Sequence, residues 1–137
     1  MLKARRVLET AVYCDDLART ADFYKALLAL EPMSASDRVV SFDAGEGTIL
    51  LLFQRGVSDQ PFQWPFGLVP GHVSTGPAHF AFAVDREDLP KWIDRLSTLC
   101  IPVESRVDWP LGGHSIYFRD PDGRSVELAT PGIWPCY

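Results

Sequence analysis

Glu9, His79 and Glu127 are the residues of this chain whose types could do chemistry together. Each lies in a short run of alternating side chains, and alternation places small neighbours on its face: Ala11 beside Glu9, Ala81 and Ala83 beside His79, Ser125 and Ala129 beside Glu127. Val7 and Tyr13 complete the face of Glu9. The opposite faces carry Leu8 and Val12, then Phe80, Phe82 and Val84, then Val126 and Leu128. Bulky side chains therefore point to one side, where helices would pack, and the three polar residues point to the other. A sheet face lined by Ala and Ser leaves space unfilled, and an unpaired carboxylate in that space is costly to desolvate. Two carboxylates there raise each other's pKa. A divalent cation removes both costs, because two carboxylates and a neutral imidazole balance its charge. Three protein ligands also leave positions open for water or substrate, as catalytic sites require. Taken singly, a mid-strand Glu is an ordinary solvated residue and a mid-strand His an ordinary hydrogen-bonded one; the grouping carries the argument.

The elements that must position them come in two passes. A strand over Val7 to Tyr13 leads through Asp16, a candidate N-cap, into a helix with Leu17, Ala21, Tyr24, Leu27 and Leu28 on one face, stopped by Pro32. Two β-rich runs follow, Arg38 to Asp43 and Thr48 to Gln54, around a Gly-rich corner at Gly45 and Gly47. The second pass has a strand from His79 to Val84, then a helix with Leu89, Trp92, Ile93, Leu96 and Leu99 on one face, Pro90 in its first turn and Pro102 beyond it. An extended stretch, Val103 to Val107, precedes a strand from His114 to Arg119, the turn Asp120-Pro121-Asp122-Gly123 and a last strand from Ser125 to Ala129.

The offsets between passes grow only at loops. Cys14 and Val84 stand 70 residues apart, Asp22 and Asp94 72, and Gly47 and Gly123 76. The same offsets lay Glu9 over His79 and Leu51 over Glu127. A period this long suits a duplicated β-α-β-β-β module rather than a solenoid. The expected organisation is one domain, 1–137, with pseudo-repeats at about 5–54 and 77–130 linked by loop 55–76. That loop holds Phe62, Trp64 and Phe66 among prolines and reads either as a functional arm or lid or as a linker packed on the sheet.

Composition narrows the partners. The chain has 137 residues, 18 acidic against 13 basic, for a net charge of −5, so neither nucleic acid nor an anionic membrane is an expected partner. Its three cysteines, Cys14, Cys100 and Cys136, lack a C-x-x-C spacing and read as reduced thiols of a cytoplasmic protein. No stretch approaches 18 apolar residues.

Leu8-Glu9-Thr10-Ala11-Val12-Tyr13, Asp16-Leu17, Phe23-Tyr24, His79-Phe80-Ala81-Phe82 and the segment from Ile116 through Asp120-Pro121-Asp122-Gly123 to Glu127-Leu128 resemble the vicinal-oxygen-chelate superfamily. That superfamily includes glyoxalase I, fosfomycin-resistance proteins, extradiol dioxygenases and bleomycin-resistance proteins. The resemblance implies an α+β fold: two tandem β-α-β-β-β modules forming a curved eight-stranded mixed sheet, helices on its outer face, in a homodimer. It also implies His79 and Glu127 as metal ligands, with Glu9 where many members have His. Ferrous dioxygenases use two His and one carboxylate, so Glu9 shifts the expected ion from Fe toward Mn, Zn, Ni or Mg. Leu51 stands where four-ligand glyoxalases carry the Glu that can serve as their base.

The expected function is thus a divalent-metal-dependent enzyme that chelates a small-molecule substrate through vicinal oxygens, in isomerase, lyase or thiol-transfer chemistry. The alternative is a metal-free protein that sequesters an antibiotic, as the bleomycin-resistance branch does. Trp64, Phe66 and Trp109, in loops, are candidate pocket walls, although Trp109, like Trp134 at the terminus, would serve a dimer interface equally well. Tyr117, on the face of Ser115 and Arg119, is a candidate substrate contact or proton donor; His114, on the face of Ile116 and Phe118, is a candidate contact to ligand or substrate. His72, in Pro70-Gly71-His72, reads as loop surface.

Overall fold

A computed structural model describes all residues, Met1 to Tyr137, as two compact units, Met1–Gly76 and Pro77–Tyr137. The fold is α+β, with few helices and mixed sheets. Each unit holds its own four-stranded sheet. No helix is long and apolar enough to cross a membrane.

In the first unit β1 (Glu9–Cys14) leads into α1 (Leu17–Leu28), followed by β2 (Ser34–Ala35), β3 (Val39–Gly45) and β4 (Thr48–Gln54). The strand order is β1-β4-β3-β2, with β1 parallel to β4 and the other pairs antiparallel. The Asp16 carboxylate caps α1 by accepting the Arg19 N–H at 3.0 Å. At the other end Ala29 takes the left-handed conformation (φ 54°) that glycine usually supplies, and Leu30 N–H closes the cap on Lys25 O. The helix buries Leu17, Thr20, Tyr24 and Leu27, while Val12, Val40, Phe42, Leu50 and Leu52 form the buried face of the sheet. The other face carries Glu9, Ala11 and Tyr13 beside Ile49, Leu51 and Phe53.

The second unit repeats this topology. Its elements are β7 (His79–Ala83), a 3-10 turn (Arg86–Asp88), α2 (Leu89–Thr98), β8 (Ser105–Asp108), β9 (His114–Arg119) and β10 (Ser125–Ala129). The order is β7-β10-β9-β8, again with only the first pair parallel. Leu96 of α2 is buried with Val84, Ile116, Phe118, Val126 and Leu128.

Segment 55–76 differs from the expected loop: it contains a hairpin, β5 (Phe62–Trp64) with β6 (Gly67–Val69), turning at Pro65-Phe66. Trp64 is therefore a strand residue. Three-residue strands are too short for alternation to register in the sequence. Phe62, Trp64, Phe66 and Leu68 are exposed on this hairpin. The segment is tied down beside it: Arg55 bonds Asp15 Oδ1 at 2.6 Å and Ser74 O at 2.8 Å, and Ser58 and His72 exchange hydrogen bonds of 2.8 and 2.7 Å.

The turn before β10 is a buried ionic knot. Asp120 Oδ1 accepts the N–H groups of Asp122 and Arg124, both at 3.0 Å, and its Oδ2 takes Arg124 Nε at 2.7 Å. A second carboxylate, Asp122, meets Arg124 at 3.0 Å. Removing one partner of such a pair leaves the other charge buried and uncompensated. Asp120→Ala is expected to lower stability by about 3 kcal/mol in urea unfolding; a loss within error of zero would show that the knot contributes nothing.

Candidate metal centre

The register of the second sheet assembles a polar site on its small-residue face. On β10, Ser125, Glu127 and Ala129 stand opposite His79, Ala81 and Ala83 of β7 on one side and Arg119, Tyr117 and Ser115 of β9 on the other. Ala81 therefore lies directly across from Glu127 and leaves room beside it, while His79 approaches on the diagonal. Glu127 is 7% exposed and His79 is exposed.

Hydrogen bonding fixes the proton on His79. Its Nδ1 lies 2.9 Å from the carbonyl oxygen of Ser125, which can only accept, so Nδ1 carries the hydrogen. In the neutral ring Nε2 is then a lone pair, and it stands 3.3 Å from Glu127 Oε2. Two acceptors facing each other at that distance repel unless a cation, proton or metal, lies with them. A metal ion with bonds of about 2.1 Å sets neighbouring tetrahedral or octahedral donors about 3.0–3.4 Å apart, and the observed separation fits that spacing.

The other oxygen of Glu127 is held from behind. Oε1 accepts the hydroxyl of Ser115, whose own oxygen accepts the Trp109 indole N–H at 2.7 Å. Tyr117, across from Glu127, has its pKa raised first by burial; the Ser115 hydrogen bond opposes this, and the charge and hydrogen bonding of Glu127 add to it. Its ring lies 6.1 Å from that of His79.

Glu9 is an exposed residue at the head of β1 in the first unit. It stands at the strand position equivalent to that of His79: each opens the strand whose third residue, Ala11 or Ala81, pairs with Leu51 or Glu127. The structure thus brings His79 and Glu127 together, and within neither unit do three His, Cys, Asp or Glu side chains converge. Trp64 and Phe66 lie on the hairpin of the first unit. His114 faces away from Glu127 and is engaged by Asp108 at 2.6 Å and Arg86 at 3.3 Å. Trp109, in the turn after β8, serves Ser115.

Two features were missed by sequence reasoning. The Trp109–Ser115–Glu127 chain depends on cross-strand register, which a pattern of alternation leaves open, although Ser115 and Tyr117 do share the expected face. His72 is not plain loop surface: its Nδ1 pairs with the Tyr13 hydroxyl at 2.7 Å and its ring meets Phe53 edge-on at 4.8 Å. Burial, and then the charge of Asp59, raise the pKa of Tyr13. The folded chain therefore holds that proton more tightly than the unfolded one. The corresponding stability is complete below about pH 10 and is lost as pH rises through the folded value. Subtracting the alkaline ultraviolet titration of Tyr13→Phe from that of the parent should leave a tyrosinate step above the ordinary tyrosine value; a step at or below it would contradict the assignment.

Comparison with known proteins agrees with this architecture. The family model described as Glyoxalase/Bleomycin resistance protein/Dioxygenase superfamily matches residues 6–128. Among solved structures, a lactoylglutathione lyase from Agrobacterium tumefaciens superposes with a TM-score of 0.85 at 34% identity, over 96% of this chain and 98% of that one. A glyoxalase/dioxygenase from Nostoc punctiforme gives 0.68 at 25% identity, over 92% and 90%. Among curated proteins, metallothiol transferase FosB of Bacillus licheniformis is 25% identical over 120 residues, 87% of this chain and 71% of that protein. With a family match from Arg6 to Leu128 and the same paired-module topology, this chain belongs to the Glyoxalase/Bleomycin resistance protein/Dioxygenase superfamily.

Proposed function

We propose that this chain is a divalent-metal-dependent enzyme that binds a small substrate through adjacent oxygens. The observation that carries this reading is His79 Nε2 standing 3.3 Å from Glu127 Oε2, the spacing of neighbouring donors around one metal ion. His79 and Glu127 would hold the ion. The mixed nitrogen and oxygen donor set suits Mn, Zn, Ni or Mg better than Fe. The ion, when bound, supplies Lewis-acid activation of the substrate oxygens.

The chain's own residues narrow the chemistry. Tyr117, with its pKa raised, keeps its proton at neutral pH and presents a hydroxyl beside Glu127 as substrate contact or proton donor. Leu51 occupies the position that register matches to Glu127, so no carboxylate base stands there. That favours addition to an activated electrophile, as in thiol transfer, over proton shuttling between carbon atoms. The similarity to a metallothiol transferase points the same way, and the similarity to a lactoylglutathione lyase keeps a thiol adduct among the candidate substrates.

Elemental analysis of the purified chain after supply of divalent ions tests the reading. Near-stoichiometric metal is expected in the parent and little in Glu127→Ala. If both stay metal-free under saturating supply, the metalloenzyme reading fails, and sequestration of a small molecule without metal takes its place.

A further inference from the structure

We propose that Ser115 and Trp109 are positioning residues that divide the labour between the two oxygens of Glu127, tying Oε1 to the protein and turning Oε2 toward the ion as a one-oxygen ligand. The inference rests on the reading of His79 and Glu127 as metal-holding residues. The direction of the chain is forced. An indole N–H only donates and a carboxylate only accepts, so the Ser115 hydroxyl, between them, must accept from Trp109 and donate to Glu127. Ser115 is 1% exposed, which leaves water little part in the arrangement.

Each link is built into the backbone. Trp109 sits at the start of a turn closed by Trp109 N–H on Gly113 O at 2.8 Å and Gly112 N–H on Trp109 O at 2.9 Å. Gly113 is required there: a Cβ on it would come within 2.6 Å of the Gly132 backbone. Immediately beyond, His114 N–H bonds Thr130 Oγ1 at 2.8 Å, locking β9 to the end of β10 where Ser115 and Glu127 meet. His79 is oriented in the same manner, its Nδ1 held by Ser125 O so that Nε2 points at the shared position. Both donors are thus preset by hydrogen bonds from behind, the device by which proteins orient ligands and tune their affinity. Without the Ser115 hydroxyl the carboxylate is free to rotate, exchange its oxygens or bind through both.

The test is metal affinity, measured by competition with a chromophoric chelator, in the parent, Ser115→Ala, Trp109→Phe and Glu127→Ala, with thermal unfolding of each metal-free chain alongside. Ser115→Ala should bind Zn(II) or Mn(II) about 10–100-fold more weakly than the parent. Trp109→Phe should weaken binding less and remove the change in tryptophan fluorescence that accompanies loading of the parent. The visible spectrum of the Co(II)-loaded protein should change in Ser115→Ala, as the coordination of Glu127 changes; a merely structural serine would leave it alone. Parental affinity and Co(II) spectrum in Ser115→Ala would overturn the inference while leaving the metal site standing. Should Ser115→Ala not fold, unchanged affinity and fluorescence in Trp109→Phe would overturn it equally. Failure of parent and Glu127→Ala alike to bind metal would overturn the metal reading, and this inference with it.

Discussion

The hydrogen bond from His79 Nδ1 to the carbonyl of Ser125 is the constraint on which the candidate site depends. It joins a side chain to the backbone of the residue paired with it in two parallel strands, so the register of β7 against β10 places its acceptor. With Nδ1 committed as donor, Nε2 is the nitrogen left to take a metal or a proton, and the sheet holds it against a carboxylate oxygen. A protein that left those two groups in place without a cation would carry the repulsion at no benefit. The same register sets Ala81 opposite Glu127 and Tyr117 on its other flank, so the room, the ligands and the adjacent hydroxyl all follow from one strand alignment.

Only the second unit carries this pair, although the two sheets share a strand order. Both sheets have the order that places the first strand of the module parallel to the last, but only the second lines the face away from its helix mainly with small residues. In the second unit the matched positions are His79 and Glu127; in the first they are Glu9 and Leu51. The first unit instead elaborates the far end of that face, where Tyr13, Phe53 and His72 pack together and segment 55–76 is tied to the sheet. The two units differ in these side chains and share their strand order.

Much of this was legible in the sequence because the signals were local. Asp16 as helix cap, Pro90 in a first turn, Asp120-Pro121-Asp122-Gly123 as a turn and the alternation around Glu127 each depend on a few consecutive residues, and each stands as expected. Offsets laid Glu9 over His79 and Leu51 over Glu127, and alternation put His79 and Glu127 on the small-residue faces of their strands. What escaped depended on contacts distant in the chain. The Trp109 indole reaches Ser115 only because a glycine turn folds β8 back onto β9, and His72 reaches Tyr13 across 59 residues. The hairpin at Phe62–Trp64 escaped for another reason, since three residues cannot display a period.

The most direct measurement of the central claim is the nitrogen NMR spectrum of the histidine rings at neutral pH, with His79→Gln to assign the His79 signals. The account predicts that titration with a diamagnetic divalent ion such as Zn(II) shifts the Nε2 resonance while Nδ1 keeps its proton. Ring signals that saturating ion leaves unmoved would mean that a proton alone bridges His79 and Glu127, and the metal reading would be wrong.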